Sequence, residues 1–531
     1  MKKIIIALFV VTITLIPSLV YSQQNIKGED LNKHITKYGQ VLFYLNNYYL
    51  DTLNNSDITE EAIKSLISTL DPHSSYISAK DVKAMNEPLE GNFDGVGIEF
   101  AIIRDTLTVA SPISGGPSER VGIRAGDKIV EIDGDTVASI NLTNDMVFKY
   151  LRGPKGTHVK LNIVRRGVDE VLEFNVVRDK IPINSVDAVY EAAPGVVYVK
   201  LSRFAANSTH EIITSILDLD IGAIDGFILD LRGNSGGYLG TAIEISNFFL
   251  NAGQTIVYTE GMRVPKMAEK AKGTGFYKKG ALAVLVDEHS ASASEIVAGA
   301  IQDWDRGTII GRKTFGKGLV QQMLPLNDGA QLRLTVARYH TPSGRVIQSP
   351  YKEGASNSYY KAIIDRYERG ESFNRDSIHF PDSLKYKTLI KGRTVYGGGG
   401  IMPDIFIPAD TTSYTKYYSQ LIRKGIVLDF MNDFSDKNRK QLEAKYSSFN
   451  SFEANFEIDS SMKESLITFA KSRGLEPNIQ EYNKSASEIE TYMKALAARS
   501  LFGTTAYFRI VNRGNDKEFK RALEVVTANL L

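Results

Sequence analysis

The chain has 531 residues, of which 43% are hydrophobic and 24% charged, with 63 Lys and Arg against 62 Asp and Glu. That length exceeds one ordinary core and predicts two to four domains of soluble composition. The balanced charge leaves no basic excess to neutralise phosphates, so no nucleic-acid partner is expected. The lack of cysteine excludes disulfides, a thiol nucleophile and a thiolate metal site.

Lys2 and Lys3 precede an apolar run from Ile4 to Ile16, then Pro17 to Ser22 and a polar Gln23-Gln24-Asn25. This pattern predicts a signal peptide over residues 1–22, cleaved after Ser22, because the apolar run is short for a membrane span. The mature chain is expected in the periplasm or outside the cell, with peripheral membrane association left open. The histidines, at 34, 73, 158, 210, 289, 340 and 379, form no HxH or HExxH pair, so neither a metal nor another cofactor is expected.

Residues 23–88 are expected to be helical. Leu31, Ile35, Tyr38, Leu42 and Leu45 make an amphipathic stripe, and a second helix from Glu60 to Leu70 stops at Asp71-Pro72. Residues 89–180 change to short β-like runs separated by Gly and Pro turns: Val96–Ile103, Leu107–Ala110, Lys128–Ile132, His158–Arg165 and Val171–Val177.

From 181 to 410 strands and helices alternate, the pattern of an α/β core. Val196–Leu201, Gly226–Leu231 and Ala281–Val286 read as strands. Thr209–Leu219, Gly240–Leu250 and Ala293–Trp304 read as helices, and Gly318–Leu326 with Gln331–Tyr339 as a hairpin. Residues 351–390 read as a polar insertion, with a further strand at Gly397–Ile407. Residues 411–531 have helical periodicity and form a helical C-terminal domain without readable chemistry. The fold class is therefore multidomain α+β.

Two serine motifs compete as a nucleophile site. LDLRGNSGG (residues 229–237) looks like the nucleophile loop of trypsin-like proteases, but Ser235 follows a buried strand and precedes a helix, with no double β-barrel before it. A glycine loop in that place exposes N–H groups and suits an anion. SASASEIVAGAIQDW (residues 290–304) places serines where a strand runs into a helix N-terminus, whose dipole favours negative charge. Alone, Ser292 and Glu295 also match a capping box. TFGKGLVQ (residues 314–321) adds a lysine between glycines, and strand alternation would turn Lys317, Leu319 and Gln321 the same way.

Residues 89–180 resemble a PDZ domain, on the motifs Gly91 to Ile98, Pro117 to Ile129 and Glu131 to Gly134. The resemblance implies that a loop from Phe93 through Gly95, Val96 and Gly97 to Ile98 binds a peptide's terminal carboxylate while the peptide adds as a strand.

The chain as a whole resembles the C-terminal processing peptidases of the Ser-Lys type. The motifs are Leu70 to Tyr76, the PDZ segment, LDLRGNSGG, residues 290–304, TFGKGLVQ, Tyr339 to Arg345 and Gly399 to Asp404. The resemblance implies Ser292 as nucleophile, Lys317 as general base and Gln321 as the orienting third member. It also implies an oxyanion hole from the N–H of Ala293 and one of Gly236 or Gly237. Asp303, three turns beyond Ser292, reads as structural. The implied activity is serine endopeptidase cleavage of exported proteins, with C-terminal tails of exported or misfolded proteins as partners. A homo-oligomer is compatible with the sequence, and any adaptor is unspecified. The rival readings are a PDZ scaffold on a silent core, a trypsin-type enzyme using Ser235, and a penicillin-recognising enzyme, whose S-x-x-K motif is interrupted by Glu295.

Overall fold

The computed structural model describes residues 28–528 except Arg104, Ser114, Lys352, Glu353 and Ala355. The expected signal peptide lies outside the described residues. A compact unit up to Ser65 carries the helix Gly28–Tyr48 and most of the helix Asn55–Ser68. A second unit runs from Leu66.

The centre of the second unit is a six-stranded sheet, ordered Val186–Ala193, Val196–Leu201, Gly226–Asp230, Ala281–Val286, Thr308–Gly311 and Ile405–Phe406. The first pair is antiparallel and the rest parallel. Its central strands are nearly all apolar because both faces are covered, the exceptions being Lys200 and Asp230, which pair at 3.2 Å. Val197, Val199, Leu201, Phe227 and Leu229 bury against the helices Ser208–Leu217, Leu239–Asn247 and Ala293–Asp303. The alternate residues Tyr198, Ile228, Ala283 and Leu285 bury against Phe519, Ala522 and Val526 of the last helix, Lys517–Thr527. The C-terminal helix thus closes one face of the central sheet, a long-range pairing that helical periodicity does not announce.

A second sheet carries Leu319–Pro325 and Gln331–His340 as an antiparallel hairpin, flanked by Ser75–Ile77 and Thr255–Glu260. A register shift opposite Val320 and Gln321 leaves the extra residue, Val336, on the partner strand, and Lys317 lies before the strand, which starts at Leu319. The PDZ-like segment has its own core, with the strands Ile98–Ile102, Leu107–Pro112, Lys128–Ile132, His158–Val164 and Leu172–Val177 and the helix Asn144–Leu151. Asn92–Gly95 pairs with Asp179–Pro182 where the chain enters and leaves it.

The strand expected over Gly397–Ile407 shrinks to Ile405–Phe406. Gly398 and Gly400 have φ of 75° and 94°, incompatible with an extended run. The polar insertion contains a helix, Ser356–Glu368. From Lys416 to Arg513 the helices pack around a separate apolar core.

Candidate active site

Three serines crowd the turn between the strand Ala281–Val286 and the helix Ala293–Asp303, and the structure separates them. Ser290 and Ser294 are fully buried. Their hydroxyls donate to main-chain oxygens of Leu231 (2.8 Å) and Asn234 (2.9 Å). Ser292 is half-buried and has φ 55°, ψ −111°. A serine seldom adopts this backbone, and a sharp strand-to-helix turn of this kind presents the side chain outward.

The glycine loop lies directly against Ser292. A Cβ on Gly236 would fall 2.8 Å from Ser292 Cβ and 2.9 Å from the Ala291 oxygen, so only glycine fits at its φ of 106°. Asn234 fixes the approach. It is fully buried, donates from Nδ2 to Leu201 O (2.9 Å), accepts the Gly236 N–H at Oδ1 (2.8 Å), and receives the Ala291 N–H on its own carbonyl (3.0 Å). Of the two glycines expected to supply an oxyanion donor, Gly236 therefore has its N–H committed. Among the described residues the N–H groups of Gly237 and Ala293 make no hydrogen bond. Ser235 is exposed on this loop.

Glu295 joins the serine to the lysine loop. It is fully buried, and its Oε2 accepts the main-chain N–H of Ser292 (2.8 Å) and of Lys317 (2.9 Å). Its Oε1 accepts from Thr314 Oγ1 (2.6 Å) and the Gly316 N–H (2.8 Å). Burial pushes its carboxyl up to about 7, against the lowering effect of these donors. The Tyr339 hydroxyl reaches the main-chain oxygens of Ser292 (3.3 Å) and Lys317. The S-x-x-E spacing signalled a cap; it carried no sign that the same carboxylate holds a loop 22 residues on.

Burial, and then the Arg333 guanidinium, push the Lys317 amine down to about 8, while Glu295 and Asp71 hold it up. Among the described residues its Nζ makes no hydrogen bond or ion pair. Gln321 is half-buried and donates from Nε2 to Leu319 O (3.1 Å) and Thr335 Oγ1 (3.3 Å), not to the lysine. Thr335 Oγ1 donates onward to Asp71 Oδ1 (3.0 Å).

The loop's other supports come from distant segments. Arg366, in the polar insertion, donates to the carbonyls of Lys313 (3.1 Å), Thr314 (3.0 Å) and Phe315 (3.2 Å). Arg232, on the glycine loop, pairs with Asp516 (2.9 Å) and Glu518 (2.8 Å), and Glu518 also pairs with Arg312, just before the lysine loop. Asp303 is fully buried against Arg345 (2.6 Å) and the Ser343 N–H (2.9 Å), a structural pairing.

In the PDZ-like segment, Val96 and Ile98 are buried and the Gly97 N–H makes no hydrogen bond among the described residues. The Arg152 guanidinium covers the ring of Phe93 at 4.9 Å and that of Phe148 at 4.8 Å.

Residues 195–353 match the family model described as peptidase family S41, residues 95–176 the PDZ domain, and residues 417–503 a family of unknown function. A carboxy-terminal-processing protease of Bartonella bacilliformis is 37% identical over 348 residues, 64% of this chain and 79% of that one. This chain belongs to the carboxy-terminal-processing proteases of peptidase family S41. The carboxyl-terminal-processing protease of Synechocystis sp. is 37% identical over 301 residues, covering 56% of this protease and 70% of its relative. A solved structure described as photosystem II D1 C-terminal processing protease is 26% identical, covering 71% of this protease and 87% of that chain, with a TM-score of 0.36. The protease is thus a hydrolase with an embedded PDZ domain.

Proposed function

We propose that this protease cuts peptide bonds with Ser292 as nucleophile and the neutral Lys317 amine as general base, after its PDZ domain has captured a substrate's C-terminal tail. The observation that carries this reading is the shared acceptor: Glu295 Oε2 holds the main chain of Ser292 and of Lys317 side by side. A serine hydroxyl attacks only once a base takes its proton. An ordinary lysine near 10.5 is neutral in roughly one molecule in a few thousand at pH 7; at about 8 the neutral fraction is about one in ten.

The proton of Ser292 Oγ passes to Lys317 Nζ as oxygen attacks the scissile carbonyl. The carbonyl oxygen becomes an oxyanion facing the N–H groups of Ala293 and Gly237. Lys317 returns the proton to the leaving amine, and water then releases the acyl group by the same route. Gln321 takes its place through Thr335, with its Oε1 available to the lysine.

The loop of Phe93, Gly95, Val96, Gly97 and Ile98 receives the tail's carboxylate, and the free edge of Ile98–Ile102 receives its backbone. The substrates are tails of exported proteins, and the protease acts in the periplasm or outside the cell. No helix among the described residues is long and apolar enough to cross a membrane.

Ser292→Ala should abolish cleavage of casein and of a peptide with a free C-terminal carboxylate. Amidating that peptide should raise KM with little change in kcat. A Ser292→Ala protein that still cleaves removes the assignment.

A further inference from the structure

The base just proposed sets a demand of its own. When Lys317 takes the Ser292 proton it becomes an ammonium with three N–H groups in a desolvated site. One returns its proton to the leaving amine, and the mechanism proposed above directs one to Gln321 Oε1. The third needs an acceptor, because an unpaired donor on a buried charge is costly.

The turn Asp71 to Ser74 brings one to the site. Asp71 is buried, and its carboxylate accepts the N–H groups of His73 (2.9 Å) and Ser74 (3.0 Å) and the Ser74 hydroxyl (2.5 Å). The same carboxylate accepts from Thr335, which holds Gln321. The Thr335 N–H donates to Ser74 Oγ (3.0 Å), and Ser75 pairs with Arg333, so the turn is fastened to the hairpin that follows Lys317. The His73 ring meets Tyr359 edge-on at 5.1 Å, and the Tyr359 hydroxyl lies 3.5 Å from the carbonyl of Gly316, next to the lysine. His73 Nε2 is buried with no hydrogen-bond partner among the described residues. Buried ring nitrogens are rarely left so.

We propose that His73 is a positioning residue of the hydrolytic site, its Nε2 accepting a hydrogen bond from the Lys317 amine during proton transfer. The inference rests on Lys317 being the base. Burial and the nearby charges of Lys317 and Arg333 push the imidazole down to about 4, against Asp71, so it is neutral at working pH. With its proton on Nδ1, Nε2 is an acceptor. The lysine then has a fixed bond on the side away from Ser292, which aims its lone pair at the hydroxyl. The charged and titratable groups acting on the lysine are Arg333, Glu295, whose own carboxyl is raised to about 7, and Asp71, and the neutral His73 lies among them.

The test is steady-state cleavage of a quenched fluorescent peptide with a free C-terminus by the full chain. His73→Phe keeps the ring and removes the acceptor. We expect kcat to fall about 10²-fold, the size of an orientation defect, with KM unchanged. The acidic limb of the kcat profile should move to lower pH, because the ammonium has lost an acceptor. His73→Gln restores an acceptor and should regain most of kcat. Should His73→Phe fail to fold, His73→Ser measured with and without added imidazole replaces it, and imidazole should restore kcat. Wild-type kcat and an unmoved limb in His73→Phe overturn the inference. So does equal impairment of His73→Phe and His73→Gln, or a folded His73→Ser that imidazole leaves unchanged. Cleavage by Lys317→Ala would instead remove the base on which the inference rests.

Discussion

Ser292 and Lys317 share one acceptor: the main-chain N–H of each donates to Glu295 Oε2, at 2.8 and 2.9 Å. The helix that begins after the serine therefore fixes the loop that delivers the lysine. Glu295→Gln would turn an amide NH₂ or a single oxygen toward four donors and leave at least one buried N–H unpaired, at about 1–3 kcal/mol each. We expect lower thermal stability and about 10²-fold lower kcat, with KM nearly unchanged. Peptide kinetics and a melting curve check both.

The same substitution changes the pH dependence of stability. The Glu295 carboxyl is raised from 4.5 to about 7 in the folded state, so folding takes up a proton in that window. This contribution is fully present below 4.5 and is lost as pH rises through about 7, by up to about 3 kcal/mol. Denaturant titrations of Glu295→Gln across this range should lack the decline attributable to this group.

Gly236→Ala should lower kcat strongly while leaving PDZ-mediated binding intact. The added Cβ meets Ser292 Cβ at 2.8 Å and two main-chain atoms of the same turn, at a backbone angle that alanine resists. Binding of a tail peptide by fluorescence anisotropy should match wild type while hydrolysis falls. Gly237→Ala, 2.2 Å from the Phe204 oxygen, should be worse for folding.

Ser235→Ala should leave kcat and KM within about twofold, the size of a surface change. Ser235 is exposed, and Asn234 is the residue that fastens the loop. An inactive Ser235→Ala with an active Ser292→Ala would restore the trypsin-type reading.

The C-terminal helix has a stake in the site as well. Glu518 pairs with Arg232 on the glycine loop and with Arg312 beside the lysine loop. Removing one member of a buried ion-pair network costs about 3–5 kcal/mol, because the remaining charges stay buried. Glu518→Ala should lower the melting temperature, and ending the chain at Asn515 should also expose Tyr198 and lose most activity. Melting curves and peptide kinetics test both.

Much of this was legible in the sequence where the signal is local. Val196–Leu201 and Ala281–Val286 read as strands because a strand covered on both faces is nearly all apolar. The helix after Ser292 and the hairpin of Gly318–Leu326 with Gln331–Tyr339 also read from local pattern, and the structure has them at Ala293–Asp303 and at Leu319–Pro325 with Gln331–His340. What stayed hidden is non-local. Nothing in Glu518 marks it as the partner of Arg232, 286 positions away. Arg366 sits in a stretch that reads as a polar insertion, yet grips three carbonyls of the lysine loop. Lys317 lies two residues before the strand that begins at Leu319, so strand alternation alone does not set its direction. Gly236 and Gly237 were interchangeable as written, and only the bond from Gly236 to Asn234 distinguishes them.

The most direct test of the account is the rate at which a fluorophosphonate labels Ser292, followed by peptide mapping, in wild type and Lys317→Ala across neutral to alkaline pH. The account predicts that wild-type labelling rises with pH to a plateau with its midpoint near 8. It predicts that Lys317→Ala labels at least about 10²-fold more slowly, without that inflection. Labelling of Ser292 at the wild-type rate in Lys317→Ala, or label found on Ser235, would contradict it.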